Sequence, residues 1–338
     1  MIDRQNYSLL HHNTFGIDAR CRRFVEFSSV DEAQQVVRSL TQDDFPLLIL
    51  GGGSNLLLTG DYAGTVIHSA IRYIEPLGGG RVRCGSGQNW DEFVGWCVAN
   101  GLHGAENLSL IPGECGASTV QNIGAYGVEA SELIEEVEAV EIATGHVCRM
   151  AGSDCGYSYR QSRFKKEWRD RYLVTAVTYQ LSEQFTPKLN YGNIQAALAA
   201  QNITHPTPEQ MRQTIIDIRK AKLPDPKELG NAGSFFMNPV VGEAKFKDLQ
   251  SQYPNMPYYE MPSHDGTVAY KIPAGWLIDQ CGWKGKTLGR AGVYAKQALV
   301  LINLGGATGQ EVADLCETVR HDVAKKFGIE INPEVNIR

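Results

Sequence analysis

The chain has 338 residues, 43% of them apolar and 21% charged, with a formal net charge of −6 and a pI near 5.8. That length accommodates two or three domains. The acidic balance and the lack of a long basic run argue against a nucleic-acid partner. No apolar run approaches membrane-spanning length, and the polar start Met1-Ile2-Asp3-Arg4 has no signal-peptide core. A cytoplasmic protein with no membrane partner is therefore expected. The eight cysteines are scattered without a C-x-x-C, and the histidines form no H-x-x-x-H. This predicts reduced thiols and no metal.

In chain order, residues 31–40 read as a short capped helix, and Leu47–Leu50 as a buried strand running into Gly51-Gly52-Gly53. Strands are expected over 56–58 and 65–68. Residues 90–101 predict an amphipathic helix, with Trp90, Phe93, Val94 and Cys97 on one side and Gly101 as its stop. From 133 to 183 the pattern alternates, as strands do. A helix resumes over 207–221, with Thr207 as N-cap, and ends at the proline-rich break 222–227, which reads as a domain boundary. A long helix over 309–327 stops at Gly328, and an extended tail follows over 329–338.

Three stretches carry candidate chemistry. Gly51-Gly52-Gly53-Ser54-Asn55 exposes backbone N–H groups that suit a phosphate. It lacks the lysine of a Walker A loop, and no helix follows as in a dinucleotide fingerprint, so it reads as strand–loop–strand. A glycine-rich hairpin is the alternative. Residues 111–127 hold four glycines together with Ser118, Thr119, Gln121 and Asn122, and read as a loop that wraps a large cofactor; Glu114 adds a charge whose facing is open. In 230–239, Ser234 follows Gly233, which lets a ligand approach closely, and precedes Phe235 and Phe236, which can anchor the loop from beneath. The two phenylalanines rule out a Gly-x-Ser-x-Gly elbow. A buried turn is the alternative.

Taken together, these stretches resemble the UDP-N-acetylenolpyruvoylglucosamine reductase (MurB) family, flavoenzymes of bacterial cell-wall precursor synthesis. The resemblance runs from Asn13-Thr-Phe-Gly-Ile17 through 50–55, 111–127, Tyr159-Arg160, 219–227 and 230–239 to Ala274-Gly-Trp-Leu-Ile-Asp279 and Pro333-Glu334-Val335. It implies an α+β fold: a two-part FAD-binding fold of the vanillyl-alcohol-oxidase (PCMH) type, then a C-terminal α+β substrate-binding domain. The implied limits are 1–67 for the first FAD subdomain, 68–218 for the second and 219–325 for the substrate domain, with the tail 326–338 returning to the active site.

The resemblance also implies roles. Gly51, Gly53, Ser54, Asn55, Ser118, Gln121 and Gly124 would hold FAD. Arg160 and Glu334 would stabilise an enolate, with Glu334 donating a hydrogen bond, and Ser234 would protonate it. Tyr159, Tyr191, Lys222, Asn238 and Tyr259 would bind the sugar nucleotide. Tyr259 lies in an insert that marks the loop-bearing subtype (type I), and neighbouring Tyr258 leaves the choice of tyrosine open. Each residue has a plainer reading: Arg160 as one arm of a solvated run with Arg163, Lys165 and Lys166, Glu334 as an exposed tail carboxylate, Lys222 as a helix cap, Tyr191 as core. The implied activity is NADPH-dependent reduction of UDP-N-acetylglucosamine enolpyruvate to UDP-N-acetylmuramate by a monomer. The alternatives are an FAD-dependent alcohol oxidase of the same fold and a non-redox sugar-nucleotide-binding protein.

Overall fold

A computed structural model describes residues 1–262 and 268–338, and in it the chain forms two compact units. The first comprises Met1–Tyr7, Arg20–Gly53 and Tyr62–Ala221; the second comprises Ser8–Ala19, Ser54–Asp61 and Lys222–Arg338.

The first unit is built on two sheets. One has the order Ile2–Ser8, Arg20–Phe27, Tyr62–Ser69, Leu47–Leu50, and its last three strands are parallel. Parallel neighbours need a crossover, and the helix Val30–Ser39 supplies one. Ser29 caps it by accepting from the Glu32 amide at 3.1 Å. Its buried Ala33, Val36 and Val37 join Val25, Phe27 and Ile67 in one core. The second sheet is antiparallel, ordered Val147–Ala151, Ile134–Glu141, Tyr172–Gln180, Arg81–Gly85, Ile74–Gly78. The helix Trp90–Ala99 buries the predicted face: Trp90, Phe93, Val94 and Cys97 share a core with Val177 and Tyr179.

One local expectation fails. Residues 111–127 are not a plain loop: they contain the helix Cys115–Gln121 and the paired short strands Gly124–Ala125 and Val128–Glu129. Gly116, Thr119 and Val120 are poor helix formers, so propensity hides the helix. It forms because Gly116 meets Ser86 closely, a contact that a side chain at 116 would block: its Cβ would lie 2.7 Å from that of Ser86.

In the second unit, Gly230–Asn231, Leu301–Asn303, Ala291–Val293 and Thr287–Leu288 form an antiparallel sheet. The helix Gly309–Phe327 covers it with Val312, Leu315, Cys316, Val319 and Val323, all buried. A Thr308/Glu311 capping box starts this helix, and left-handed Gly328 (φ 60°) ends it where the sequence predicts. The extended tail closes as a strand, Asn336–Ile337, parallel to Leu56–Leu57.

A smaller antiparallel sheet of Val240–Gly242, Val268–Lys271 and Tyr259–Pro262 packs with the helix Glu243–Gln252. Strand alternation separates the two adjacent tyrosines. Tyr258 turns to the helix, 4.6 Å from the Phe246 ring, and Phe246 stacks on Tyr270 at 3.8 Å. Tyr259 is 47% exposed, with the Lys271 ammonium 5.3 Å from its ring centroid.

These contacts predict stabilities that denaturant unfolding can read. Thr308→Ala should lose about 1 kcal/mol with its cap. Gly309→Ala should lose more, because its Cβ would fall 1.6 Å from the Leu58 carbonyl oxygen. Tyr258→Ala should cost about 1 kcal/mol of aromatic contact, and Tyr259→Ala no more than about 0.5 kcal/mol.

Candidate functional site

In the first unit, the glycine loop and the 111–127 segment meet backbone to backbone. A Cβ on Gly51 would lie 3.1 Å from that of Ala117, and one on Gly52 would lie 3.2 Å from the Gly113 Cα. Gly53 is buried with φ +62°, a conformation that disfavours any side chain. The outcome is a glycine stretch whose backbone carries no side chains of its own. That is the surface a large phosphate-bearing cofactor requires, so the residues present fit FAD.

Ser118 lies beneath this surface. It is 1% exposed, and its hydroxyl donates to the Cys115 carbonyl at 2.7 Å and meets the Tyr179 hydroxyl at 2.9 Å. Its side chain therefore anchors the helix to the core. Gln121 is turned toward the predicted catalytic arginine by a lysine: Lys165 Nζ donates to Gln121 Oε1 and to the Arg160 carbonyl, each at 3.1 Å.

Arg160 itself has φ +55°, which costs a non-glycine residue roughly 1 kcal/mol or more. Its guanidinium donates to the Asn122 carbonyl at 3.3 Å and to the Gly124 carbonyl. It also lies 5.1 Å from the Tyr159 ring centroid. A Cβ on Gly124 would be 2.7 Å from Arg160 Nη1, so glycine is required there for room. Tyr191 is 41% exposed rather than core, and it lies against Gly127, where a Cβ would be 3.2 Å from its own. The structure thus brings Gln121, Gly124, Tyr159 and Arg160 together.

In the second unit, Ser234 is exposed on a loop whose neighbours Phe235 and Phe236 are fully buried. The tail returns to this loop. Phe236 bridges Pro333, and the Glu334 amide donates to the Phe235 carbonyl at 2.8 Å. Ser234 and Glu334, a hundred residues apart in sequence, therefore become neighbours. Asn55 joins them: its side chain donates to the Glu334 carbonyl at 3.4 Å, and its own carbonyl accepts from the Asn336 amide at 3.1 Å. The Asn238 side chain accepts from the Ala274 amide at 2.9 Å, at the start of the helix Ala274–Gln280. Lys222 is exposed at the last position of the helix Pro208–Lys222.

Three positioning residues escape a reading of the sequence. Lys165 sits in a basic run that looks solvated. Asn122 is fully buried and left-handed at φ 45°, its amide donating to Glu129 and the Ser158 carbonyl at 2.8 and 3.0 Å. Asn231 is 2% exposed and donates to the Leu229 carbonyl while accepting from the Gly233 amide, which fixes the approach to Ser234. For Asn231 the available signal was an asparagine beside Gly230, since asparagine bonds its own backbone in turns.

The chain is similar to known proteins. Residues 225–338 match the C-terminal domain model of UDP-N-acetylenolpyruvoylglucosamine reductase, and residues 21–151 match an FAD-binding domain model. The UDP-N-acetylenolpyruvoylglucosamine reductase of Bacteroides fragilis is 52% identical over 337 residues, covering 98% of this chain and 99% of the relative. That of Porphyromonas gingivalis is 46% identical, covering 98% of each chain. The crystal structure of the Thermus caldophilus reductase shares the fold, with a TM-score of 0.69 at 21% identity over 99% of this chain and 98% of that one. The chain, with its α+β fold and FAD-binding domain, belongs to the UDP-N-acetylenolpyruvoylglucosamine reductase family.

Proposed function

We propose that the chain reduces UDP-N-acetylglucosamine enolpyruvate to UDP-N-acetylmuramate, with NADPH as the electron source and FAD as the resident cofactor. The observation that carries this reading is the return of the tail, which sets Glu334 beside Ser234 through the Phe235 carbonyl. Near-full-length identity of 52% to a reductase of that name supports it.

Bound FAD supplies two-electron transfer between NADPH and the enolpyruvyl double bond. The chain's own residues handle the charge and the proton. Reduction at the terminal carbon drives negative charge onto the adjoining carbon and its carboxylate. Arg160 is assigned to that carboxylate, because a planar guanidinium matches it with two parallel hydrogen bonds. Lys165 holds its strained backbone, and the Asn122 and Gly124 carbonyls hold its guanidinium, so the fork is pre-organised. Glu334 is assigned as a hydrogen-bond donor to the same developing charge. Ser234 is assigned as the acid that protonates the carbon.

Gly51, Gly53, Ser54, Asn55, Gln121 and Gly124 are assigned to FAD, with Ser118 shaping their support from within. Tyr159, Tyr191, Lys222, Asn238 and Tyr259 are assigned to the sugar nucleotide. Between the two adjacent tyrosines, Tyr259 is the better candidate, because Tyr258 is committed to Phe246. On this reading the chain is of the loop-bearing subtype. All eight cysteines are free thiols, in keeping with a cytoplasmic enzyme, and we take it to act as a monomer without nucleic acid or membrane.

Ser234→Ala separates the half-reactions. Flavin reduction by NADPH should persist, while reduction of the enolpyruvyl substrate should fall by about 100-fold or more. Rapid mixing of each half-reaction reads this out. Equal loss in both halves would remove Ser234 from the proton-donor role.

A further inference from the structure

Glu26, His68 and Glu114 come from separate stretches of the first unit and meet in its interior. His68 is on the strand Tyr62–Ser69, and the parallel neighbour Arg20–Phe27 places Glu26 in register with it. Glu114 precedes the helix Cys115–Gln121 and makes no side-chain cap there. Its carboxylate reaches His68 instead. His68 Nδ1 lies 2.8 Å from Glu26 Oε2, and Nε2 lies 3.0 Å from Glu114 Oε1. The residue is 6% exposed.

An ionised carboxylate only accepts hydrogen bonds. Two ionised carboxylates, one at each ring nitrogen, favour a ring with both nitrogens protonated, an imidazolium. Burial alone favours the neutral ring, but the hydrogen bonds and charges of Glu114 and Glu26 outweigh it and hold His68 above its ordinary 6.5. On the far side, the strand Leu47–Leu50 puts apolar Leu50 in register with His68, and the Phe24 ring stacks at 6.4 Å. Glu26 and Glu114 are thus titratable groups bonded to His68.

Glu114 also touches the glycine loop. A Cβ on Gly51 would lie 3.5 Å from Glu114 Oε2, and one on Gly52 would lie 3.8 Å from its Cγ. An unpaired carboxylate here would repel a diphosphate on that loop. Paired with an imidazolium, it instead ties the 111–127 segment to the strand Tyr62–Ser69, beside the strand that leads into the glycine loop, and has its charge offset.

Resting on the FAD reading above, we infer that Glu26, His68 and Glu114 form a buried charged clamp that positions the two cofactor segments, and that FAD binds most tightly while His68 is protonated. A proton held more tightly when flavin is bound makes Kd rise with pH above the His68 value of the free protein, because binding must then take that proton up. Deprotonation removes the cation between two carboxylates and leaves Glu114 uncompensated beside the loop. Both effects weaken FAD binding toward alkaline pH.

The test titrates FAD into the full chain stripped of flavin, following flavin fluorescence from about pH 6 to about pH 9, with ¹⁵N NMR of the histidine rings on the same samples. In the wild type, Kd should rise with pH, approaching about tenfold per unit above the His68 transition. Glu114→Gln keeps size and an acceptor but not the charge. It should bind with a Kd that varies less than about threefold over that range, and its His68 should titrate lower. Equal pH slopes in the two proteins, or a His68 whose titration is unmoved by Glu114→Gln, would overturn the clamp. Failure of both proteins to bind FAD at any pH would instead remove the FAD reading, and the His68 titration would then decide the clamp alone.

Discussion

Close packing against side-chain-free glycine backbone is the constraint on which the first unit's candidate site depends. At Gly51, Gly52 and Gly116, an added Cβ would meet a neighbouring atom at 3.1, 3.2 and 2.7 Å, and a glycine at 124 gives the Arg160 guanidinium its place. On the proposed reading, main-chain groups of this stretch serve as ligand contacts, and several side chains hold them in place. Ser118, Asn122, Lys165 and His68 all act in this supporting way, each tied to a carbonyl, a carboxylate or a hydroxyl of the same unit. Helix propensity is sacrificed in Cys115–Gln121 for this geometry, and the helix is sustained by burial against Tyr179 and Ser86.

The second unit solves a different problem, which is to bring the backbone of Glu334 to the loop that carries Ser234. It does so with tail strands. Residues 336–337 pair with Leu56–Leu57, and Pro333 and Glu334 pair with the Phe235-Phe236 segment. The buried phenylalanines supply the anchorage, with Phe15 edge-on to Phe235 at a centroid distance of 6.0 Å. Ser234 therefore stands exposed on a rigid base, and the sequence position of Glu334 near the end of the chain does not make it a loose carboxylate.

Local signals made much of this legible. Leu47–Leu50 and the helix Gly309–Phe327 stand where the sequence predicts, because an apolar run ending at glycine, a capping box and a C-terminal glycine are all short-range features. The strand–loop–strand reading at Gly51 holds for the same reason. What escaped depends on distance or direction. No local feature could turn Lys165 inward, since the left-handed turn at Arg160 decides that. Tyr258 and Tyr259 are equivalent in sequence and are distinguished only by which face of a strand meets Phe246. Glu26, His68 and Glu114 are 42 and 46 residues apart and meet only once a parallel pair and a helix start are in place. The three assigned roles of Arg160, Ser234 and Glu334 entered through family resemblance, because residue chemistry alone left Arg160 and Glu334 with an ordinary surface reading and Ser234 with a buried turn as the alternative.

The most direct measurement is an anaerobic absorbance record of the purified, FAD-loaded chain. NADPH is added first, then UDP-N-acetylglucosamine enolpyruvate. The account predicts that the flavin band bleaches and that one equivalent of the enolpyruvyl compound restores it, with UDP-N-acetylmuramate as product. A band that bleaches and stays bleached would contradict the substrate assignment. A chain that takes up no FAD would contradict the reading of its glycine segments.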